Sequence, residues 1–444
     1  MSCPLLSAWS ATLAAAPAAP ILIDAASERT WTRAELDTAA REWVAAHGAD
    51  LRGQAVVFAL PNGIEWLTVT LGVLMAGGIV VSLDPGEPAA AQRTIAAAVN
   101  ATHWWHDRQL ITLAPRRSSP RDGRCLIKLT SGSTGTPKAL PFTAAQLLAD
   151  GRQICASMDI RATDLNLGCI PFGHSYGLGN LIVPLLAQGT AIVCGAPVLP
   201  QALADAIARW QPTVFPAVPA LLRALAASDI APAQLHSLRT VISAGAALSP
   251  EIAQAFATRF ARRVHSFYGS SETGGIAYDR TGDAASTGRS VGPPIDGVQL
   301  TFTRGQRFFV ASAAVGGRGR FRPADRAELN AHGELVLLGR AGRMLKLAGR
   351  RVDPAEIEHA LRSLPDVRDA WVTLHPERPD SLAAAVCGDG TSDALRAALA
   401  ERLAAWKLPR RLLVLSEFPV TARGKTDTRR LRDLLAHRPA PPIS

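Results

Sequence analysis

The chain has 444 residues, 48% of them hydrophobic and 19% charged, and carries a net charge of +10. That length supports two or three domains with large buried cores, and the composition excludes a disordered or low-complexity chain. Six scattered cysteines (Cys3, Cys125, Cys155, Cys169, Cys194, Cys387) with no CxxC spacing exclude a disulfide scaffold or zinc framework and fit a reducing, cytoplasmic setting.

In chain order, the stretch from Cys3 to Ile23 is alanine-rich and uncharged, but no basic segment precedes it, so it reads as folded chain and not as a secretory signal. Ala55 to Leu60 reads as a buried strand, Ile64 to Met75 as a helix and Gly78 to Leu83 as the next strand. The apolar run Cys125 to Leu129 then leads into Thr130-Ser131-Gly132-Ser133-Thr134-Gly135-Thr136-Pro137-Lys138. Glycines there let backbone N–H groups converge on an anion, the hydroxyls donate further hydrogen bonds, and Lys138 adds a full positive charge. The run is a phosphate cradle, yet not the usual P-loop, because Pro137 stands where that motif needs glycine and Ala139 where it needs Ser or Thr. An ordinary kinase or NTPase is therefore disfavoured.

Strands expected at Leu165 to Ile170, Ala191 to Cys194, Val214 to Val218 and Thr240 to Ser243 continue the alternation, and Ser249-Pro250-Glu251 opens a helix running to about Phe260. Gly177 to Leu199 is uncharged and long enough to span a membrane by count, but Asn180, Pro184, Gln188, Gly189 and Thr190 interrupt it. We expect a buried helix, a turn at Gln188-Gly189 and a strand from Thr190, with no stable membrane insertion. Continuously apolar strands imply sheets covered on both faces, hence an α/β fold.

Glu334 to Leu338 is strand-like, and Gly339-Arg340-Ala341-Gly342-Arg343 breaks the pattern. Beyond it, Asp353-Pro354-Ala355-Glu356 has the form of a capping box opening a helix, followed by strands at Ala370 to Leu374 and Leu382 to Val386 and a helix from Ser392 to Trp406. The expected organisation is a large N-terminal domain, 1–339, of mixed and parallel sheets covered by helices, and a small mobile α+β domain, 340–444. From Arg340 onward 19 Lys and Arg stand against 13 Asp and Glu, so +6 of the net charge lies in the last quarter. Such an excess favours an anionic partner or substrate there. The basic residues are not interleaved with aromatics as a stacking platform requires, so nucleic acid is not an expected partner.

Along nearly the whole chain the cradle Thr130–Lys138, then Tyr268-Gly269-Ser270-Ser271-Glu272-Thr273, Asp325, the run Gly339-Arg340 to Asp353-Pro354-Ala355-Glu356-Ile357-Glu358, and Pro419-Val420-Thr421-Ala422-Arg423-Gly424-Lys425-Thr426-Asp427 follow in a fixed order. Together they resemble the adenylate-forming superfamily of acyl-CoA synthetases, peptide-synthetase adenylation domains and luciferases. The resemblance implies that Thr130, Ser131, Gly132, Ser133, Thr134, Gly135 and Lys138 hold the β- and γ-phosphates of ATP, that Glu272 holds Mg2+, and that Lys425 bridges the substrate carboxylate and the α-phosphate. It further implies that Tyr268, in a motif with Gly269 and Ser271, faces adenine, that Gly245, Ala246 and Ala247 bring backbone close to the base, and that Asp325 accepts from the ribose hydroxyls. Arg340 is then the hinge, Lys346 lines the thioester-forming face, and His174 flanks the carboxylate pocket.

The implied reaction is ATP-dependent, AMP-forming activation of a fatty or aryl carboxylic acid to an acyl-adenylate and then an acyl thioester, with CoA as the first acceptor to consider. Loading of an acyl carrier protein and a non-catalytic nucleotide- or acyl-binding role are the alternatives. The chemistry needs this many cations and donors because carboxylate and α-phosphate are both anionic and charge builds as they meet. Three departures from the superfamily pattern stand out: Gly342 at the pivot position, Arg322-Pro323-Ala324 ahead of Asp325, and a shortened stretch from Ser286 to Arg322. A fourth bears on substrate. Gly173 stands where amino-acid-activating members carry an aspartate for the α-ammonium group, and an unpaired buried charge costs several kcal/mol. With Phe172, Leu178, Val218 and Ile242 in the same segments, an acyl or aryl acid is expected.

Overall fold

The computed structural model describes residues 3–113, 123–130, 138–316, 319–340, 345–347, 350–403, 405–421 and 426–436. The chain divides into two compact units. One comprises Met1–Thr301, Phe309–Phe321 and Ala331–Leu335, the other Phe302–Phe308, Arg322–Asn330 and Val336–Ser444.

The first unit holds two large sheets. In the six-stranded sheet the order is Gln109–Thr112, His103–His106, Ala55–Phe58, Ile79–Ser82, Arg124–Thr130 and Lys138–Thr143. In the eight-stranded sheet it is Gly274–Tyr278, Val264–Ser270, Thr240–Ser243, Val214–Ala217, Leu165–Leu167, Ala191–Cys194, Pro20–Asp24 and Arg29–Thr32. Its central strands are parallel, with the antiparallel hairpins at the margins. The reason for the apolar strands is visible in Ala55–Phe58. Val56 and Phe58 face a core shared with Trp9, Trp66 and Phe172, whereas Ala55 and Val57 face a second core with Val81 and Ile95. Because side chains alternate along a strand, a sheet buried on both faces needs apolar residues at every position.

Helix boundaries follow local chemistry. Thr32 and Thr143 form reciprocal capping boxes with Glu35 and Gln146 at the starts of Arg33–His47 and Ala144–Met158. The 177–199 run divides into a π-helical turn Leu178–Ile182, a helix Val183–Gln188 and a strand Ala191–Cys194, broken at Gly189 where φ is +77°. No helix among the described residues is long and apolar enough to cross a membrane.

In the second unit the strands Val367–His375, Arg378–Gly388 and Arg411–Leu415 form a sheet. The helices Pro354–Arg362 and Ser392–Ala400 cover one face through Ile357, Leu361, Leu395 and Leu399. The helix Thr428–Ala436 covers the other, placing Leu431 and Leu435 against Trp371, Ala383 and Ala385. Two expectations need correction here. The Ser392 helix ends at Ala400, followed by a short 3-10 turn at Ala405–Lys407, so Trp406 lies outside it. The Asp353 cap is made, with its carboxylate accepting the Ala355 N–H at 3.0 Å, but Glu356 does not close a capping box; it pairs with Lys407 at 2.6 Å.

Candidate active site

The strands that flank the expected phosphate cradle, Arg124–Thr130 and Lys138–Thr143, pair antiparallel. Thr130 ends one strand, Lys138 begins the next, and the two are directly paired. Lys138 is solvent-exposed there. Ser131, Gly132, Ser133, Thr134 and Gly135 lie outside the described residues, as does the side chain of Thr130.

Most of the remaining first-unit candidates follow the carboxyl ends of parallel strands, the edge at which open α/β sheets collect ligands. After Thr240–Ser243 comes Gly245, held at φ +86°. A Cβ there would meet nothing nearer than Val218 Cγ1 at 3.7 Å, so the glycine serves the backbone conformation and leaves the loop face open. Ala246 and Ala247 beside it are exposed. On the neighbouring strand Val264–Ser270, Tyr268 is half-buried and pairs across to Ala277. The chain then reverses through Ser271, Glu272 and Thr273, with Ser270 Oγ and Thr273 Oγ1 3.0 Å apart and Thr273 fully buried. Glu272 stays partly accessible at the tip of this turn.

The turn rests on Asp150. Its Oδ1 accepts the Gly275 N–H at 2.9 Å, and a Cβ on Gly274 would fall 2.1 Å from the same oxygen. Asp150 is 4% exposed and Lys128, on the strand entering the cradle, is 2% exposed. Burial pushes the Lys128 ammonium below its ordinary range, with the Asp150 and Glu272 carboxylates opposing that shift. Burial likewise raises the Asp150 carboxyl, opposed by Lys128 and by the Gly275 N–H.

The segment Phe172–Tyr176 forms another wall. Asn62 fixes it, donating to the carbonyls of Gly168 (3.0 Å) and Ile170 (2.7 Å) while its Oδ1 accepts the Phe172 N–H at 2.9 Å. Phe172 is 1% exposed and meets Trp66 edge-on at 5.5 Å; burying such a side chain contributes about 1.5–3 kcal/mol. His174 follows in extended conformation at the start of the short helix Ser175–Gly177 and is half-buried. The Tyr176 hydroxyl donates to the Ile242 carbonyl at 3.3 Å, its ring lies 6.0 Å from Phe267, and burial pushes its pKa well above the phenol range. Phe172, Tyr176, Ile242 and Phe267 thus give an apolar neighbourhood close to the strand ends.

The other candidates belong to the second unit. Asp325 opens the strand Asp325–Leu329 and is half-buried; the next residue, Arg326, forms an ion pair with Asp353. Arg340 ends the strand Leu335–Arg340, and Lys346 pairs across to Arg351 in a small hairpin, the side chains of both lying outside the described residues. Lys425 itself is also outside them. Among the described residues on either side, Val420 bridges to Thr426, the Asp427 N–H donates to Pro419 O at 2.7 Å, and Asp427 accepts from Arg429 and Arg430 N–H at the start of the last helix.

Residues 9–111 and 100–302 match the AMP-binding enzyme family, and residues 356–425 match the AMP-binding enzyme C-terminal domain. The chain belongs to this family. Indoleacetate–CoA ligase from Aromatoleum aromaticum is 30% identical over 81% of this chain and 78% of its own length. A probable nonribosomal peptide synthetase, CymA, from Salinispora arenicola is 25% identical over 96% of this chain, which spans only 6% of that protein. The amide bond synthetase McbA from Marinactinospora thermotolerans shares the fold, with a TM-score of 0.80 at 22% identity over 97% of this chain and all of that one.

The described residues suit the magnesium nucleotide that an AMP-binding enzyme implies. No group of three His, Cys, Asp or Glu side chains among them is arranged to hold a metal by itself. A single carboxylate, Glu272, on a tight partly open turn fits an ion whose other ligands are phosphate oxygens and water. Sequence reasoning passed over three residues in the segments around these candidates: Asn62, Lys128 and Asp150. The one available signal was Lys128, a lone charge inside the apolar run Cys125 to Leu129; Asn62, between Pro61 and Gly63, carries the composition of any turn.

Proposed function

We propose that the protein joins a carboxylic acid to ATP, releasing pyrophosphate, and passes the acyl group of the resulting adenylate to a thiol, with CoA as acceptor. The observation that carries this reading is the grouping of Gly245, Tyr268 and Glu272 at the carboxyl edge of the eight-stranded sheet, beside an apolar wall that contains His174. In the reaction a carboxylate oxygen attacks the α-phosphorus and the bond to pyrophosphate breaks. The thiolate then attacks the acyl carbon and AMP leaves.

The residues take distinct parts. The 130–138 cradle grips the β- and γ-phosphates, Tyr268 and the 245–247 loop border the adenine, and Asp325 accepts from the ribose. Lys425 neutralises the charge that builds between carboxylate and α-phosphate, and His174 borders the carboxylate. Magnesium, when bound at Glu272, screens the phosphate oxygens. Arg340 is the hinge between a large domain ending at 339 and a small one beginning at 340, and Lys346 serves thioester formation.

The acid is an aryl or fatty one. Gly173 carries no carboxylate to meet an α-ammonium group, and a Cβ there would lie 2.3 Å from Ser82 Oγ, so a side chain would have to displace Ser82. The indoleacetate–CoA ligase similarity points the same way. A carrier protein as acceptor is the second reading, favoured by similarity to a peptide synthetase over 96% of the chain and by the +6 excess from Arg340 onward. Acid-dependent pyrophosphate release across a panel of aryl, fatty and amino acids tests the first step. Repeating it with free CoA and with holo carrier protein separates the acceptors, and no release with any acid leaves only the non-catalytic binding role.

A further inference from the structure

Arg326 joins three segments that lie on both sides of residue 340. Its Nη2 forms an ion pair with Asp353 Oδ2 and donates to the Leu338 carbonyl at 3.3 Å. The arginine is on the strand Asp325–Leu329, Leu338 lies just ahead of Arg340 on the strand Leu335–Arg340, and Asp353 is the N-cap of the helix Pro354–Arg362. The side chains are 24% exposed for Arg326 and 17% for Asp353, against 60% and 62% for the surface pair Arg161–Asp159. Water and salt loosen exposed pairs, whereas a half-buried charge-assisted pair with a carbonyl as second acceptor holds a defined geometry.

A second contact spans the same place. Gly339 has φ +94°, and a Cβ built on it would fall 2.7 Å from the Ala355 Cβ, so the strand end lies directly against the first turn of the helix. Ala355 is 6% exposed, and its N–H donates to the other Asp353 oxygen at 3.0 Å. One carboxylate thus caps the helix and ties it to Arg326. Arg322–Asn330 and the chain from Val336 onward belong to one compact unit, although Arg340 divides them in sequence.

We propose that Arg326 is a positioning residue that latches the small domain across its hinge, holding the helix Pro354–Arg362 against the strand that begins with Asp325. The latch rests on the reading of Arg340 as that hinge. A rotation about Arg340 leaves Arg326, Leu338 and Gly339 on one side and carries Asp353 and Ala355 away on the other. The ion pair and the Gly339 packing therefore have to open together before the small domain takes up another orientation. Adenylate formation needs Lys425 at the carboxylate, and thiol attack needs access to the acyl carbon there, so a latch that favours one orientation weights one step against the other. Arg326 touches neither substrate nor nucleotide; it acts through Asp353 and the Leu338 carbonyl.

Trypsin nicking of the full-length protein at Arg340, Arg343, Lys346, Arg350 and Arg351, read by mass spectrometry alongside thermal unfolding, tests the latch. Arg326→Gln removes one charge; Asp353→Asn removes the other while keeping an oxygen for the Ala355 N–H. Each is expected to speed nicking within 340–351 by about tenfold or more, and the double variant no further, because partners in one interaction are not additive. Arg326→Lys, which keeps the charge, should recover most of the protection. Folded variants nicked at the wild-type rate, effects that add in the double variant, or cleavage spread through 354–436, the mark of an unfolding domain, each overturn the proposal. In single turnovers the two variants should change the ratio of pyrophosphate release to acyl transfer onto CoA or holo carrier protein by about fivefold or more, again the scale of coupled neighbours. An equal fall in both steps also overturns it. A wild type that releases no pyrophosphate with any acid removes the functional reading instead, and the nicking comparison still decides whether the pair is a latch.

Discussion

A methyl group on Gly173 would come within 2.3 Å of Ser82 Oγ, the same oxygen that accepts the Trp66 indole N–H at 2.9 Å. Ser82 cannot turn away without leaving that N–H unpaired, so any side chain at 173 is destabilising. Gly173→Asp is expected to cost about 1–3 kcal/mol through overpacking, seen as a lower melting temperature, and to confer no amino-acid activation. A variant that melts like wild type, or that adenylates an amino acid, would contradict the steric argument.

Asn62 satisfies two carbonyls and one N–H of the 168–172 segment at once. Asn62→Ala leaves these groups without that partner, at about 1–3 kcal/mol for each one that water cannot reach. The expected result is a destabilised protein whose KM for the acid rises more than its KM for ATP, because the segment leads to His174 and not to the cradle. Equal changes in both constants would show that the anchor supports the whole unit.

Lys425→Ala is expected to lower acid-dependent pyrophosphate release by about 100-fold or more, the scale for removing a preorganised charge partner of the transition state. Thermal unfolding should hardly change, since the Val420–Thr426 bridge and the Asp427 cap on either side do not use this side chain. Unaltered release would reject the bridging role.

The capping box at the first long helix gives a pH signature. Glu35 Oε2 accepts from Thr32 N–H at 2.7 Å and from Thr32 Oγ1 at 2.8 Å, and these bonds, the backbone one foremost, hold its carboxyl below the ordinary value of 4.5. A depressed carboxylate pKa contributes stability that is fully present above the unfolded value and is lost as pH falls through the folded one. Glu35→Ala should therefore melt below wild type at pH 7, and the gap due to ionisation should close as pH drops below 4.5. A gap independent of pH would show that the charge of the carboxylate is not what the cap uses.

Much of the α/β pattern was legible because burial on both faces leaves its mark residue by residue. Ala55–Phe58 carries no polar side chain since each position meets one core or the other. The second unit was harder at its helix ends. Ser392 begins a helix that stops at Ala400, because the following turn brings Lys407 back to Glu356, a long-range pairing no local propensity contains. The same limit explains the site. The expectation of an anion at the glycines, hydroxyls and Lys138 comes from local spacing alone, whereas Asp150 meets its partner only when Gly275, 125 residues away, arrives beside it. Asn62 is likewise defined by partners more than 100 residues downstream.

The last helix of the second unit has a consequence for handling the protein. Leu431 and Leu435 are the lid over Trp371, Ala383 and Ala385, on the sheet face that the helices Pro354–Arg362 and Ser392–Ala400 leave uncovered. A chain shortened to end before Thr428 would expose an oily, pleated surface next to intact strands, the kind of patch that recruits copies of itself. Such a truncation is a recipe for inclusion bodies, and its insolubility would say nothing about catalysis.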